Sequence, residues 1–108
     1  MEDCLFCKII KGELPGNFVY QGKEIVAFKD THPSAPVHVL IVPKKHFADL
    51  LDAEKEDQAL LGEIQLLAAE LAKQLKIDKA FKMLVNNGRG AGQAIFHLHY
   101  HLLGGWKS

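Results

Sequence analysis

His97-Leu98-His99-Tyr100-His101-Leu102-Leu103, close to the end of the chain, decides how the rest is read. Histidine recurs at every second position, with an apolar or aromatic residue between each pair. Successive side chains of a β-strand point to opposite faces, so a strand sets His97, His99 and His101 on one face, each about 6–7 Å from the next. Phe96, Leu98, Tyr100 and Leu102 then share the other face and can enter a core. A helix would align His97 with His101 and turn His99 away from both. Only the strand separates polar from apolar residues. Three imidazoles on one strand form a concentrated set of nucleophiles, proton carriers or metal ligands.

Directly upstream lies Asn86-Asn87-Gly88-Arg89-Gly90-Ala91-Gly92-Gln93. Glycines let a backbone approach an anion closely and aim N–H groups at it. A histidine beside such a loop can attack phosphorus and carry the transferred group covalently. A neighbouring histidine can donate a proton or a hydrogen bond as charge develops. Asn86, at the loop entrance, can donate from its amide. A loop of this composition also serves as a plain strand connection, with Arg89 a solvated charge; its position beside His99 and His101 favours the anion.

Further out, Gly104-Gly105 ends the histidine strand, and Ala80 to Val85 forms the strand before the loop. Leu61, Ile64, Ala68, Leu71 and Leu75 recur at alternating spacings of three and four, the stripe of an amphipathic helix. Leu60 and Leu67 widen it, enough to cover a sheet and also to reach a partner subunit. Asp52 is the predicted N-cap, with acidic residues in the first turn. His38-Val39-Leu40-Ile41-Val42 is β-branched and nearly all apolar, a buried central strand ended by Pro43. Phe18 to Tyr20 and Ile25 to Phe28 flank Gln21-Gly22-Lys23 as a hairpin. Cys4 to Lys11 carries a short helical stripe that Gly12 ends. With no repeat and no linker, residues 1–108 form a single domain. The order helix, hairpin, strand, long helix, strand, strand, with short connections, predicts an α+β fold on an antiparallel sheet.

The 108 residues carry 13 Lys and Arg against 13 Asp and Glu. Zero net charge argues against duplex nucleic acid as a partner. No apolar run is long enough to span a bilayer. Met1-Glu2-Asp3 lacks the basic start and apolar core of a signal peptide, and a cytoplasmic location is expected. Both cysteines fall in Cys4-Leu5-Phe6-Cys7. In a reducing compartment that spacing points to a metal or redox pair, or to two thiols packing as small hydrophobes. Zinc wants four ligands, and His97 and His46 are the candidates for the other two. His46 sits just past a strand end, where a loop can bring it to the N-terminal helix. Such a site is structural, since four protein ligands leave no position for water. A catalytic zinc on His97, His99 and His101 is disfavoured, because the three spread over about 13 Å. His38 opens an apolar strand, where a polar group needs a hydrogen bond; it is either a strand-end histidine in water or the group that fixes the tautomer of His99. Asp30 either caps a loop or accepts from sugar hydroxyls.

These residues resemble a known family. His97 to Leu103 is similar to the signature of the histidine triad (HIT) superfamily. Gly104-Gly105 resembles the branch of purine nucleoside phosphoramidases, the histidine triad nucleotide-binding proteins; the dinucleoside polyphosphate hydrolase branch usually has a proline and a basic residue there. The likeness extends to Cys4-Leu5-Phe6-Cys7-Lys8-Ile9-Ile10, Ala27-Phe28-Lys29-Asp30, Ala35-Pro36-Val37-His38, Val42-Pro43-Lys44-Lys45-His46 and Gly92-Gln93. The resemblance implies a five-stranded antiparallel sheet with one long and one short helix, continued across a homodimer. It implies hydrolysis of nucleoside 5′-phosphoramidates or acyl-adenylates, with His99 as nucleophile and a nucleotidyl-histidine intermediate. It implies phosphate contacts from His101 and Asn86, and from Gly92, Gln93 and Ala94 through their backbone. Asp30 would hold the ribose, Leu5, Phe6, Ile9, Phe28 and Leu40 would wall the purine pocket, and His38 would support the nucleophile. Cys4, Cys7, His46 and His97 resemble the ligands of the zinc-containing bacterial members. Dinucleoside polyphosphate hydrolysis, or a nucleotide-binding scaffold with incidental hydrolysis, are the alternative functions. Three departures bear on the leaving group: Ala94 replaces a frequent Ser or Thr, Trp106 replaces a frequently basic residue, and many phosphoramidase members continue past the position of Ser108.

Overall fold

The fold was obtained as a computed structural model that describes residues 4–107; Met1-Glu2-Asp3 and Ser108, on which the leader and tail readings rest, lie outside the described residues. The elements are α1 (Leu5–Ile10), β1 (Phe18–Gln21), β2 (Ile25–Lys29), β3 (Val37–Pro43), α2 (Gln58–Gln74), β4 (Phe81–Val85) and β5 (Tyr100–Gly104). The strands form one five-stranded sheet in the order β1-β2-β3-β5-β4, antiparallel at every pairing. The α+β fold expected from the sequence is the fold observed.

β3 is central, and both of its faces are covered. On one face Val39 and Ile41 meet α2 through Ile64, Ala68, Leu71 and Ala72 in the larger core. On the other, Leu40 and Val42 join Val26, Phe28, Phe6 and Ile9 of the smaller core beneath α1. A strand buried on both faces loses its polar alternation, which is why His38 to Val42 reads as an apolar run. Each fully buried Leu, Ile or Phe of these clusters contributes about 1.5–3 kcal/mol.

Register carries the histidines. His101 lies opposite Leu40, and Leu103 opposite His38. Alternation therefore sends His99 and His101 to the α1 face, while Leu98, Tyr100 and Leu102 enter the core beneath α2. The expected strand is shorter than predicted: regular pairing starts only at Tyr100. Just before it, Leu98 N donates to Phe47 O (2.7 Å), His97 Nε2 to Pro43 O (2.7 Å) and His99 Nδ1 to His97 O (2.7 Å). These bonds engage backbone groups outside the regular ladder, so the chain bends out of it. Phe96 consequently misses the core; it is 41% exposed, with the Arg89 guanidinium 5.3 Å from its ring centroid.

The long helix also starts later than expected. Asp52 is not its cap: Asp52 Oδ2 accepts from Ala48 N at 2.7 Å, in a 3₁₀ turn over Leu50–Asp52 capped by Asp49. A second turn, Lys55–Asp57, carries a capping box between Glu54 and Asp57 and leads into α2 at Gln58. Within the predicted stripe Ile64, Ala68 and Leu71 are buried, and Leu61 and Leu75 half-buried. None of the helices is long and apolar enough to cross a membrane, among the described residues.

Candidate active site

The six-residue α1 brings the cysteines to the histidine face. Cys4 is its N-cap, its Sγ accepting from Cys7 N. Cys4 Sγ lies 3.3 Å from His97 Nδ1, Cys7 Sγ 3.4 Å from His46 Nδ1 and 3.5 Å from His97 Nδ1, and the two Nδ1 atoms lie 3.1 Å apart. Ligands at the usual zinc–sulfur and zinc–nitrogen distances stand about 3.3–3.8 Å apart around a tetrahedron, so these four separations match its edges with slight compression, and all four atoms lie within 4.8 Å of one another. The chemistry of His97 fits as well. Its Nε2–H donates to Pro43 O, which leaves the Nδ1 lone pair facing the sulfurs, the orientation a carbonyl acceptor imposes on a metal-bound histidine. Burial holds His97 neutral. Burial, with the bond to Cys4, pushes the Cys7 thiol up, and a bound cation would reverse that effect. Cys4, Cys7, His46 and His97 are thus close enough, with the His97 tautomer correctly set, to hold a metal ion.

A second set, Asp30, His38 and His101, is equally close but fails the same test. Ser34 N donates to His38 Nδ1 at 2.9 Å. His38 must then carry its proton on Nε2, which points at His101 Nδ1 (2.8 Å) and, more distantly, at Asp30 Oδ2 (3.4 Å). A metal on His38 Nε2 would require removing that proton and forming an imidazolate. The set is a hydrogen-bond relay.

Following the relay assigns every proton. His38 Nε2–H donates to His101 Nδ1, so His101 carries its own proton on Nε2. That atom is buried and has no partner, alone among the buried side-chain N and O atoms of the described residues. The neighbouring His99 is locked the other way: Nδ1–H donates to His97 O, and the lone pair resides on Nε2. The two rings lie 5.1 Å apart. Burial lowers the His99 pKa against the opposing pull of the His97 carbonyl and Asp30. Burial, then the neighbouring His99 and His38, push His101 down to about 4. Both rings are neutral at neutral pH. One presents a lone pair and the other a donor, which is the equipment to attack an electrophilic centre and hold the charge that develops on it.

His38 was expected to fix the tautomer of His99, but it bonds His101, and the His97 carbonyl orients His99. The reason is register: His38 faces Leu103, one step along from His101. Phe6 packs edge-on against His99, centroids 5.0 Å apart, and shares its cluster with Ile9, Phe28 and Leu40. Leu5, also expected there, is 42% exposed and outside that cluster. Asp30 accepts from His32 N at 2.8 Å in a local turn and stands beside the relay. Gly92, at φ 96°, lies against Asn86, which a Cβ on Gly92 would approach to 3.7 Å at Nδ2. Ala94 is exposed. The side chain of Gln93, buried at 3%, is a clamp for the glycine loop. It accepts from Gly88 N (2.8 Å) and donates to Ala48 O (2.6 Å) and Ile95 O (3.0 Å), while its backbone N–H donates to Gly88 O (3.1 Å) and that of Gly92 to Arg89 O (3.0 Å).

Reading the sequence alone missed the Ser34 amide and the Pro43 carbonyl, which are backbone groups with no residue signal. It also missed Lys82 and Leu84, which with Asn86 line an open cleft of about 400 Å³ beside His38 and His101. Their alternation, two residues apart on β4 just before Asn86, was the available signal.

The model of the HIT domain matches residues 11–108. Protein HitA of Neisseria gonorrhoeae is 47% identical over 104 residues, covering 96% of this chain and 97% of its own. Among solved structures, a HIT family hydrolase from Clostridium thermocellum superposes with a TM-score of 0.95 at 46% identity, over 98% of this chain and 93% of that one. A histidine triad protein from Clostridium difficile gives 0.94 at 39% identity, over 100% and 95%. With this fold, this histidine strand and these relatives, the chain belongs to the HIT family.

Proposed function

We propose that the protein is a nucleotide hydrolase that cleaves nucleoside 5′-phosphoramidates or acyl-adenylates at the α-phosphorus. The observation that carries this reading is the opposite locking of two adjacent imidazoles: a lone pair on His99 Nε2 beside an unpartnered donor on His101 Nε2. His99 Nε2 attacks phosphorus, the P–N bond to the amine breaks, and the amine departs with a proton from solvent. Water then attacks the nucleotidyl-histidine, the P–N bond to His99 breaks, and a nucleoside monophosphate leaves. The net reaction adds one water and yields the monophosphate dianion and an ammonium. His101 Nε2–H takes the unsatisfied phosphoryl oxygen, and His38 holds His101 in the tautomer that can donate. Asn86 and the backbone of Ala94 bind the phosphate, on a loop that Gly92 and Gln93 shape by donating their N–H groups to Arg89 O and Gly88 O. Asp30 holds the ribose. Phe6, Ile9, Phe28 and Leu40, with Leu5 at the rim, form the purine wall. The hydrolase and histidine triad relatives support this assignment.

Zinc is the proposed occupant of Cys4, Cys7, His46 and His97, where it cross-links α1 to the sheet and takes no part in bond breaking. A homodimer is proposed through β4, which lies at an end of the sheet order and leaves Phe81 and Leu84 37% and 38% exposed, together with Leu66 of α2, 74% exposed. The single domain and a cytoplasmic location complete the reading.

Incubation with adenosine 5′-phosphoramidate, acid-free quenching and peptide mapping is the test. Release of AMP with an acid-labile adduct on His99 is expected. His99→Ala should lose turnover by at least about 10³-fold while binding AMP nearly as well. Equal activity in that variant, or cleavage of diadenosine polyphosphates in place of the phosphoramidate, overturns the proposal.

A further inference from the structure

Behind the glycine loop runs the segment 47–50, directly after His46. It is fixed independently of the loop. Phe47 is buried in the larger core at 1% exposure. Lys45 Nζ holds the buried carboxylate of Asp57 at 2.9 Å, and Asp52 Oδ2 and Asp49 Oδ1 accept from Ala48 N and Leu51 N. Three backbone groups of the segment then meet the loop and the histidine strand. Phe47 O accepts from Leu98 N (2.7 Å), Ala48 O accepts from Gln93 Nε2 (2.6 Å), and Leu50 N donates to Asn87 Oδ1 (2.8 Å).

The loop itself is closed: Ala91 N and Gln93 N donate to Gly88 O, Gly92 N to Arg89 O, and Gly88 N to Gln93 Oε1. It therefore moves as one piece. Its covalent ends apart, Gln93 and Asn87 attach it to the segment, at residues two positions apart. One attachment leaves a pivot, and the second removes it. Asn87 makes the second attachment next to the proposed phosphate ligand. Its neighbour Asn86 lines a cleft with His38 and His101, and a Cβ on Gly92 would lie 3.7 Å from Asn86 Nδ2. The two asparagine side chains thus diverge across a single planar peptide, one to the segment and one to the histidine pair.

Resting on the hydrolase reading, we infer that Asn87 is a positioning residue, and that its bond to Leu50 N aims the Asn86 amide at the phosphoryl oxygens. Asn87 touches no substrate. Without it the loop pivots on Gln93, and the ligand must order Asn86 at the moment of binding, which costs affinity. The nucleophile is untouched, because the His97 carbonyl orients His99 from the other side. The phosphate is present in the ground state and in the transition state, so the loss falls on KM and spares kcat.

Calorimetric binding of AMP to wild type, Asn87→Ala, Asn86→Ala and the double variant tests it. Asn87→Ala should weaken AMP by about five-fold, the factor one hydrogen bond supplies. KM for adenosine 5′-phosphoramidate should rise by the same factor, with kcat held within about two-fold. Asn86→Ala should weaken AMP at least as much. In the Asn86→Ala background, Asn87→Ala should have no further effect, since a positioning residue acts only through the group it positions; a merely structural residue would subtract again. Leu50→Pro removes the same bond from its other end, at the first position of a 3₁₀ turn where proline fits, and should reproduce Asn87→Ala. Unchanged AMP affinity in Asn87→Ala, or the same loss persisting in the double variant, overturns the positioning role while wild-type turnover of the phosphoramidate keeps the hydrolase reading. A wild type that neither binds AMP nor turns over the phosphoramidate overturns both.

Discussion

Acidification should weaken the fold through His101 in a way that one substitution isolates. An unfolded histidine titrates near pH 6.5 and His101 in the fold near 4, a depression whose largest cause is burial. Above pH 6.5 both states are neutral and the fold has its full stability. Between 6.5 and 4 the unfolded chain binds the proton and the native chain does not, so stability falls as the pH drops; below 4 the loss is complete. The 2.5-unit difference is worth about 3.4 kcal/mol at 1.36 kcal/mol per unit. Residual solvent contact of the ring reduces this to about 2–3 kcal/mol, or about 10 °C in Tm for a domain of this size. His101→Asn places an amide oxygen near the Nδ1 position, keeps an acceptor for His38 and removes the titration. His38, His99 and Asp30, the other titrating groups around the ring, remain in both proteins. Urea unfolding of each protein from pH 7.5 to pH 4 should show the variant about 1 kcal/mol less stable at the upper end and equal or more stable at the lower. Two stability curves that stay parallel over that range refute the depressed titration of His101, because the ring would then be accepting its proton in the fold as easily as in the unfolded chain.

Removing metal with a chelator, or Cys7→Ser, should lower Tm by more than about 10 °C, since a structural zinc contributes on the order of 10 kcal/mol to folding; elemental analysis before and after treatment gives the occupancy, and a metal-free protein of unchanged Tm counts against the cluster. Gln93→Leu should cost about 3 kcal/mol by stranding Gly88 N and the Ala48 and Ile95 carbonyls. It should also raise KM more than it lowers kcat, because it loosens the loop and leaves the His99–His101 pair in place. Steady-state kinetics with thermal melts on the same protein checks both halves.

Much of this was legible in advance because it depends on local pattern. The run from His38 to Val42 between two prolines is a buried strand whatever its neighbours, and the 3-4 spacing of Ile64, Ala68 and Leu71 is a buried stripe wherever the helix docks. The departures all arise from contacts distant in sequence. Phe96 alternates correctly with Leu98, but the His97 and His99 rings draw their chain onto Pro43 and onto itself, and the strand cannot start early enough to bury Phe96. The cap of α2 moved from Asp52 to the turn at Glu54–Asp57 because Asp52 is engaged by Ala48, a choice among several acidic residues that spacing does not rank. His38 was assigned to the wrong histidine for lack of the β3–β5 register, which shifts its partner by one step. Lys82 was passed over because, Leu84 and Asn86 apart, its neighbours in the cleft come from Ser34, His38, β5 and Trp106, all distant in sequence.

His97 carries two of the bonds described above on a single residue: its ring faces the cysteines, and its carbonyl receives the His99 proton. Only two side-chain torsions separate the two, and full burial together with the bond to Pro43 O restrains both. A displacement at the cysteine end is therefore passed toward the nucleophile. The cluster and the reaction are coupled through one residue. A descendant that lost its cysteines would need a new anchor for this one peptide before His99 could keep its aim, and a designer who transplants the histidine strand without α1 should expect to move the residues and leave the alignment behind.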